Sequence, residues 1–165
     1  MLLNQLSEKG LVSDCDPTVW RETGSGNLKK LDSGTVFDLG GLHVEVVDMA
    51  GHTAGSVGLM IVEKRVLLDS DSANEHCWMF LEESLPIRQY ISMLERVSRM
   101  EFDVFYTAHS DASHPKSDFQ RYVRVARNAS MAKGMLYKIF PELEPRIYTE
   151  DDVSIVFNER TLQGI

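Results

Sequence analysis

Between residues 35 and 106 the chain is built mainly from short apolar runs whose periodicity predicts strands. Leu42, Val44 and Val46 alternate along residues 42–48, as in a strand with one buried face. Residues 56–62 and 65–68 are two further runs parted only by Glu63 and Lys64, a gap that permits only an antiparallel hairpin. Leu39-Gly40-Gly41 reads as a tight turn ahead of the longest strand. From Pro86 the period changes. Ile87, Tyr90, Ile91, Leu94 and Val97 share one helical face up to residue 100, and a strand at 104–106 follows. A second helical stripe, Phe119, Tyr122, Val123 and Ala126, falls within 117–133, with Ser117 as its N-cap and Asp118 in its first turn. Extended segments at 146–148 and 153–157 close the sequence. The first 33 residues are polar, with a short helix expected at 1–9 and a loop at 24–27.

This order of elements brings three chemically able side chains to one edge. In a hairpin the start of the first strand lies beside the end of the second, so His52 and Asp71 become neighbours. The strand–helix–strand unit that follows is a parallel, right-handed crossover, which ends the 104–106 strand on the same edge and adds His109. Two imidazoles and a carboxylate suit zinc or a similar divalent ion. Other roles compete. His52 is also a plausible turn residue, and Asp71 a loop residue bonding its own backbone, with Asp69 two positions earlier as a rival. His43 is expected to point outward, and Trp78, Met79 and Phe80 read as a hydrophobic plug rather than a substrate platform.

Composition narrows the function classes. The 165 residues are expected to form a single domain, with the polar segment 1–33, the motif-bearing sheet 35–110, and the helix and terminal strands 117–165. A net charge of -8 argues against a nucleic-acid partner, which demands a basic face. No apolar run nears the roughly 20 residues of a membrane span, and no signal-peptide pattern is seen. Cys15 and Cys77 are not spaced as a zinc pair, and reduced thiols in a cytoplasmic protein are expected.

The motifs themselves resemble a known family. The strand 39–47 followed by Ala50-Gly51-His52-Thr53-Ala54-Gly55-Ser56, the apolar strand leading to Asp71, and Tyr106-Thr107-Ala108-His109-Ser110 are similar, in order and spacing, to the metallo-β-lactamase superfamily. There the matching turns are Pro-Gly-His-Thr-Pro-Gly-Ser, Gly-Asp and Pro-Gly-His-Gly. The resemblance covers about residues 35–128. It implies an α/β (α+β) chain that forms half of an αββα sandwich, with a mixed sheet and helices on one face. It also implies metal ligation by His52, Asp71 and His109, the Asp bridging two ions. Small residues replace the usual prolines and glycines: Ala50, Ala54, Ser70, Thr107, Ala108 and Ser110.

One departure decides the expected chemistry. The family's His-x-His-x-Asp-His loop, which precedes these motifs, has no counterpart here. Without it each metal keeps two protein ligands, against the three or four of ordinary zinc sites. His76 and His114 read as surface residues in loops on the site edge, with auxiliary ligation in place of a lost donor as their alternative role. The expected function is therefore a truncated, hydrolase-like protein. It would act on an ester, thioester, lactone or phosphodiester if a complementing N-terminal half chain is supplied, with zinc, iron or manganese bound partially or not at all. The alternative is a non-catalytic remnant, a homodimeric binding or assembly module that covers its exposed sheet face with a second copy.

Overall fold

The computed structural model describes residues 29–139 and 144–164. The chain clusters into two compact units, Met1–Leu31 and Asp32–Ile165, and the architecture below is that of the second. The helix expected at 1–9, the loop at 24–27 and Cys15 lie outside the described residues.

Six strands form a mixed sheet in the order β1-β2-β3-β4-β6-β7. They are β1 (Val36–Asp38), β2 (His43–Asp48), β3 (Val57–Ile61), β4 (Val66–Leu68), β6 (Val104–Tyr106) and β7 (His114–Pro115). β3 and β4 make the expected antiparallel hairpin, with Leu59 opposite Leu68. The β4–β6 pair is parallel, with Leu67 opposite Phe105 and Leu68 opposite Tyr106. Helix α1 (Ile87–Val97) is the crossover between them, with Pro86 as its N-cap. It buries Ile87, Tyr90, Met93, Leu94 and Val97, the face that the 3.6 period marks.

The second helix, α2 (Phe119–Asn128), is shorter than expected. A turn of 3-10 helix at Lys116–Asp118 precedes it, so Asp118 rather than Ser117 stands at the N-cap, and no side chain caps it. Its buried stripe is Phe119, Tyr122, Val123, Val125 and Ala126. Phe102, Phe105 and Phe119 pack edge to face beneath it, an arrangement that favours aromatic clusters over simple stacking.

A second, four-stranded sheet has the order β5-β10-β9-β8, with β5 (His76–Met79), β8 (Met135–Leu136), β9 (Arg146–Glu150) and β10 (Val153–Phe157). The expected plug is therefore a strand: β5 runs parallel to β10, with His76 opposite Ser154 and Trp78 opposite Val156. β9 and β10 pair antiparallel, as the two terminal extended segments suggest. A final helix, α3 (Glu159–Gln163), starts at a capping box made by Asn158 and Thr161. Val47, Met60, Leu67 and Phe105 of the first sheet, the helices, and Cys77, Met79, Ile155 and Phe157 of the second share one hydrophobic core. Each fully buried side chain of this size contributes about 1.5–3 kcal/mol by leaving water.

The opposite face of the six-stranded sheet is also apolar. The register lines up Phe37, Val44, Ile61, Val66 and Val104 in one row, and Val46, Leu59, Leu68 and Tyr106 in the next. Phe37, Leu68 and Tyr106 are exposed. Among the described residues no helix is long and apolar enough to cross a membrane.

Candidate metal centre

The His52 turn is held from several sides. Ala50 N–H donates to Asp48 Oδ1 (3.0 Å) and Ala54 N–H to the Glu83 carbonyl (3.0 Å). Neither bond is open to the prolines of the family pattern, so the two alanines bring their own fastening. Leu85 N–H donates to the Gly51 carbonyl (2.9 Å), and Ser84 Oγ to that of His52 (2.8 Å). Gly51 lies against Tyr90, where an added Cβ would stand 2.5 Å from the ring. The His52 ring itself is fixed through Nδ1, 2.6 Å from the Trp78 carbonyl oxygen. A carbonyl only accepts, so Nδ1 carries the proton, and in the neutral ring Nε2 keeps its lone pair. Metal-binding histidines are commonly oriented in this way.

Beyond β4, Asp69 and Asp71 take opposite courses. Asp69 is fully buried, and neither carboxylate oxygen has a hydrogen-bond partner. Burial pushes its pKa up to about 8; the Ala73 amide pulls it down and the Asp71 carboxylate adds to the rise. Ser70 adopts the left-handed region (φ 62°), where the family pattern has glycine. That turn sends Asp71 into a cavity that His52 and His109 also line. His109 Nε2 is 2.8 Å from Asp71 Oδ1, without the alignment of a hydrogen bond, and Asp71 Oδ1 is buried and otherwise unpartnered.

The cavity has a volume of about 490 Å³ and is also lined by Asn74, Glu75, His76, Trp78, Leu81, Thr107 and Ser110. All three candidate ligands therefore reach it, and so does His76. His114 does not: its ring stacks on Phe105 at a centroid distance of 5.1 Å, with Nε2 buried and unpartnered. His43 faces outward, paired with Glu63. Trp78 is half-buried on the cavity wall, whereas Met79 and Phe80 are buried. Glu75, Asn74 and Ser154 escaped the sequence reading. A lone hydroxyl within Val153-Ser154-Ile155-Val156-Phe157 was the available signal for the last.

The donor chemistry suits a divalent ion. Two donors on one tetrahedral zinc stand roughly 3.3 Å apart, about half an ångström more than the Asp71–His109 separation. In number the set falls short. Among the described residues no three His, Cys, Asp or Glu side chains stand close enough together to enclose an ion.

No family model matches the sequence, and no curated protein does. Solved structures do. A metallo-beta-lactamase from Pontibacter korlensis superposes with a TM-score of 0.54 at 15% identity, over 77% of this chain and 63% of that one. A beta-lactamase domain protein from Burkholderia ambifaria gives 0.51 at 19% identity, over 60% of this chain and 31% of that one. The chain has the metallo-β-lactamase fold. It spans less than two thirds of the length of either of these two proteins. Within that fold, the cavity stands at the strand edge that carries His52, Asp71 and His109.

Proposed function

We propose that the chain is a metallo-β-lactamase-fold, hydrolase-like protein in which His52, Asp71 and His109 contribute to a divalent-metal site. Hydrolysis of an ester, thioester, lactone or phosphodiester then requires donors beyond these three, among them those of a chain carrying the N-terminal half of the fold. The observation that carries this reading is the buried, unpartnered Asp71 Oδ1 beside His109 Nε2, in the cavity that His52 lines. Zinc is the first candidate, with iron or manganese as alternatives. A divalent ion supplies Lewis acidity and brings the pKa of water toward neutrality. The chain's own part is to hold His52 by its Nδ1–H bond, to present the Asp71 carboxylate, and to shelter the reacting group against Trp78 and Leu81.

The lining adds a preference among substrates. Among the described residues it includes Asp71 and Glu75 but no Lys or Arg, which favours uncharged esters, thioesters or lactones over phosphodiesters. The setting is cytoplasmic on this reading, in keeping with the free, buried Cys77. Elemental analysis of protein purified with zinc tests the proposal, alongside Asp71→Ala and His109→Ala. Metal retained by the wild type and lost in both variants supports it. Equal metal content in all three overturns it.

A second reading rests on the apolar sheet face. Phe37, Leu68 and Tyr106 are exposed there, although Val46 on the same face is buried, and exposed apolar side chains on one sheet face are candidates for an association surface. A non-catalytic homodimer pairing that face with a second copy follows. Sedimentation equilibrium giving a monomer, or a dimer unaffected by Leu68→Asp, counts against it.

A further inference from the structure

We propose that Trp78 and Leu81 form a preformed apolar wall that makes this cavity a binding site for an uncharged ligand carrying an alkyl chain. As a substrate class this means an alkyl ester, thioester or lactone, and that part rests on the hydrolase reading above; the binding itself does not. β5 alternates: Cys77 and Met79 turn into the core, whereas Trp78 reaches the cavity and is half-buried there. Leu81, just beyond the strand, lines the cavity and is half-buried too. Covering these two side chains with the apolar surface of a ligand takes them out of water, which favours binding.

The wall is fastened at three points before any ligand arrives. The Trp78 carbonyl accepts from His52 Nδ1 (2.6 Å) and the Phe80 carbonyl from Asn158 Nδ2 (3.0 Å). The Leu81 carbonyl accepts from the Ser84 amide (3.0 Å) and from the Arg160 guanidinium. Asn158 and Arg160 belong to the cap and first turn of α3, so distant parts of the chain hold the wall in place. The Trp78 ring packs on the buried ring of Phe80, with centroids 5.3 Å apart and planes tilted by 49°. A wall that is already ordered loses little entropy on binding, so more of the covered area appears as affinity.

The remaining lining is polar. Asp71, Thr107 and His109 come from the chain beyond β4 and β6 of the first sheet. A ligand with a carbonyl head and an apolar tail matches this division, and a cavity of about 490 Å³ is large enough to enclose a small molecule. Asp71 and Glu75, with no Lys or Arg among the described lining residues, disfavour a carboxylate or phosphate head. Trp78 is thus a ligand platform, where the sequence pattern suggested a plug.

Titration of the full, metal-free chain with butanamide, pentanamide and hexanamide, followed by NMR, tests the inference. These probes are uncharged, and an amide resists the hydrolysis that an ester would undergo. Affinity should rise by about fourfold for each added methylene, as expected for full burial of that group. The indole N–H signal of Trp78, identified by its loss in Trp78→Phe, should shift with each probe. Trp78→Ala and Leu81→Ser should each reduce the increment to less than about twofold, and Trp78→Phe should keep most of it. His43→Ala, on an exposed histidine outside the cavity, should match the wild type. No gain in affinity with chain length in the wild type, or a wild-type increment in either Trp78→Ala or Leu81→Ser, overturns the inference whether or not metal binds. A steep wild-type series that both variants flatten, in a chain that retains no metal in the elemental analysis above, upholds the binding site and removes only the hydrolase reading.

Discussion

The two histidine turns of the cavity are built differently. The His52 turn is fastened by backbone bonds to Glu83 and Leu85, by a Ser84 hydroxyl, and by a ring bond to Trp78. It also rests on the buried ring of Tyr90. The His109 turn has the Ala108 amide bonded to the Ser70 carbonyl (2.8 Å) and a 3.3 Å bond from its own amide to Thr107 Oγ1, and its side chain is exposed. One donor is set before any ligand arrives, whereas the other is placed by its backbone alone. Preorganisation therefore resides on the side nearer the second sheet, and any completing contact is needed on the solvent side.

The contrast can be broken most strongly at Gly51. Gly51→Ala forces a Cβ into Tyr90 and should cost about 1–3 kcal/mol, read as a lower urea midpoint. An unchanged midpoint would mean that the turn is not packed as described.

The next largest effect concerns the floor of the site. The folded pKa of Asp69, about 8, exceeds its unfolded value of 3.8. As pH rises between those values, the unfolded chain loses the proton that the folded chain retains, so stability falls with pH across that window. In metal-free protein, Asp69→Asn should gain about 1–2 kcal/mol at pH 8 and little near pH 4. A gain that is equal at both pH values would refute the burial argument.

Ser70→Gly relieves a left-handed serine and should stabilise by about 0.5–1 kcal/mol in thermal unfolding, partly offset by greater freedom of the unfolded chain. Destabilisation instead would show that the serine hydroxyl matters more than its backbone.

The smallest effect is expected far from either turn, at the exposed His43–Glu63 pair. Pairing with Glu63 raises the pKa of His43, and the same contact lowers that of Glu63 to about 2. The His contribution is full below its ordinary value of 6.5 and is lost as pH rises through the folded value. The Glu contribution is present above 4.5 and is lost as pH falls toward 2. Glu63→Gln should therefore matter most between those limits, by little in total because both side chains are solvated. An effect as large as that at Gly51 would upset this ranking.

Much of this was legible in residue order. The 56–62 and 65–68 runs could only pair as a hairpin, and the Pro86 helix could only return its chain to a parallel strand, so the convergence of His52, Asp71 and His109 followed from connectivity. The role of residues 76–80 was not legible. The five-residue apolar run 77–81 has no periodicity that separates strand from plug, and the partner of His76 on β10, Ser154, lies 78 residues further along. The N-cap of α2 was missed because 3-10 and α turns share the same polar opening. The helix at Glu159–Gln163 is a single short turn with little pattern to detect.

The sequence by itself determined which side chains line the cavity at the strand edge, because local periodicity and short connections leave few topologies. Only the tertiary structure decided what state they meet in. Whether Asp71 or Asp69 reaches the cavity, and which nitrogen of His52 is left with a lone pair, depend on packing and on a carbonyl from a distant strand. No local pattern encodes those contacts, since packing between sheets sets them.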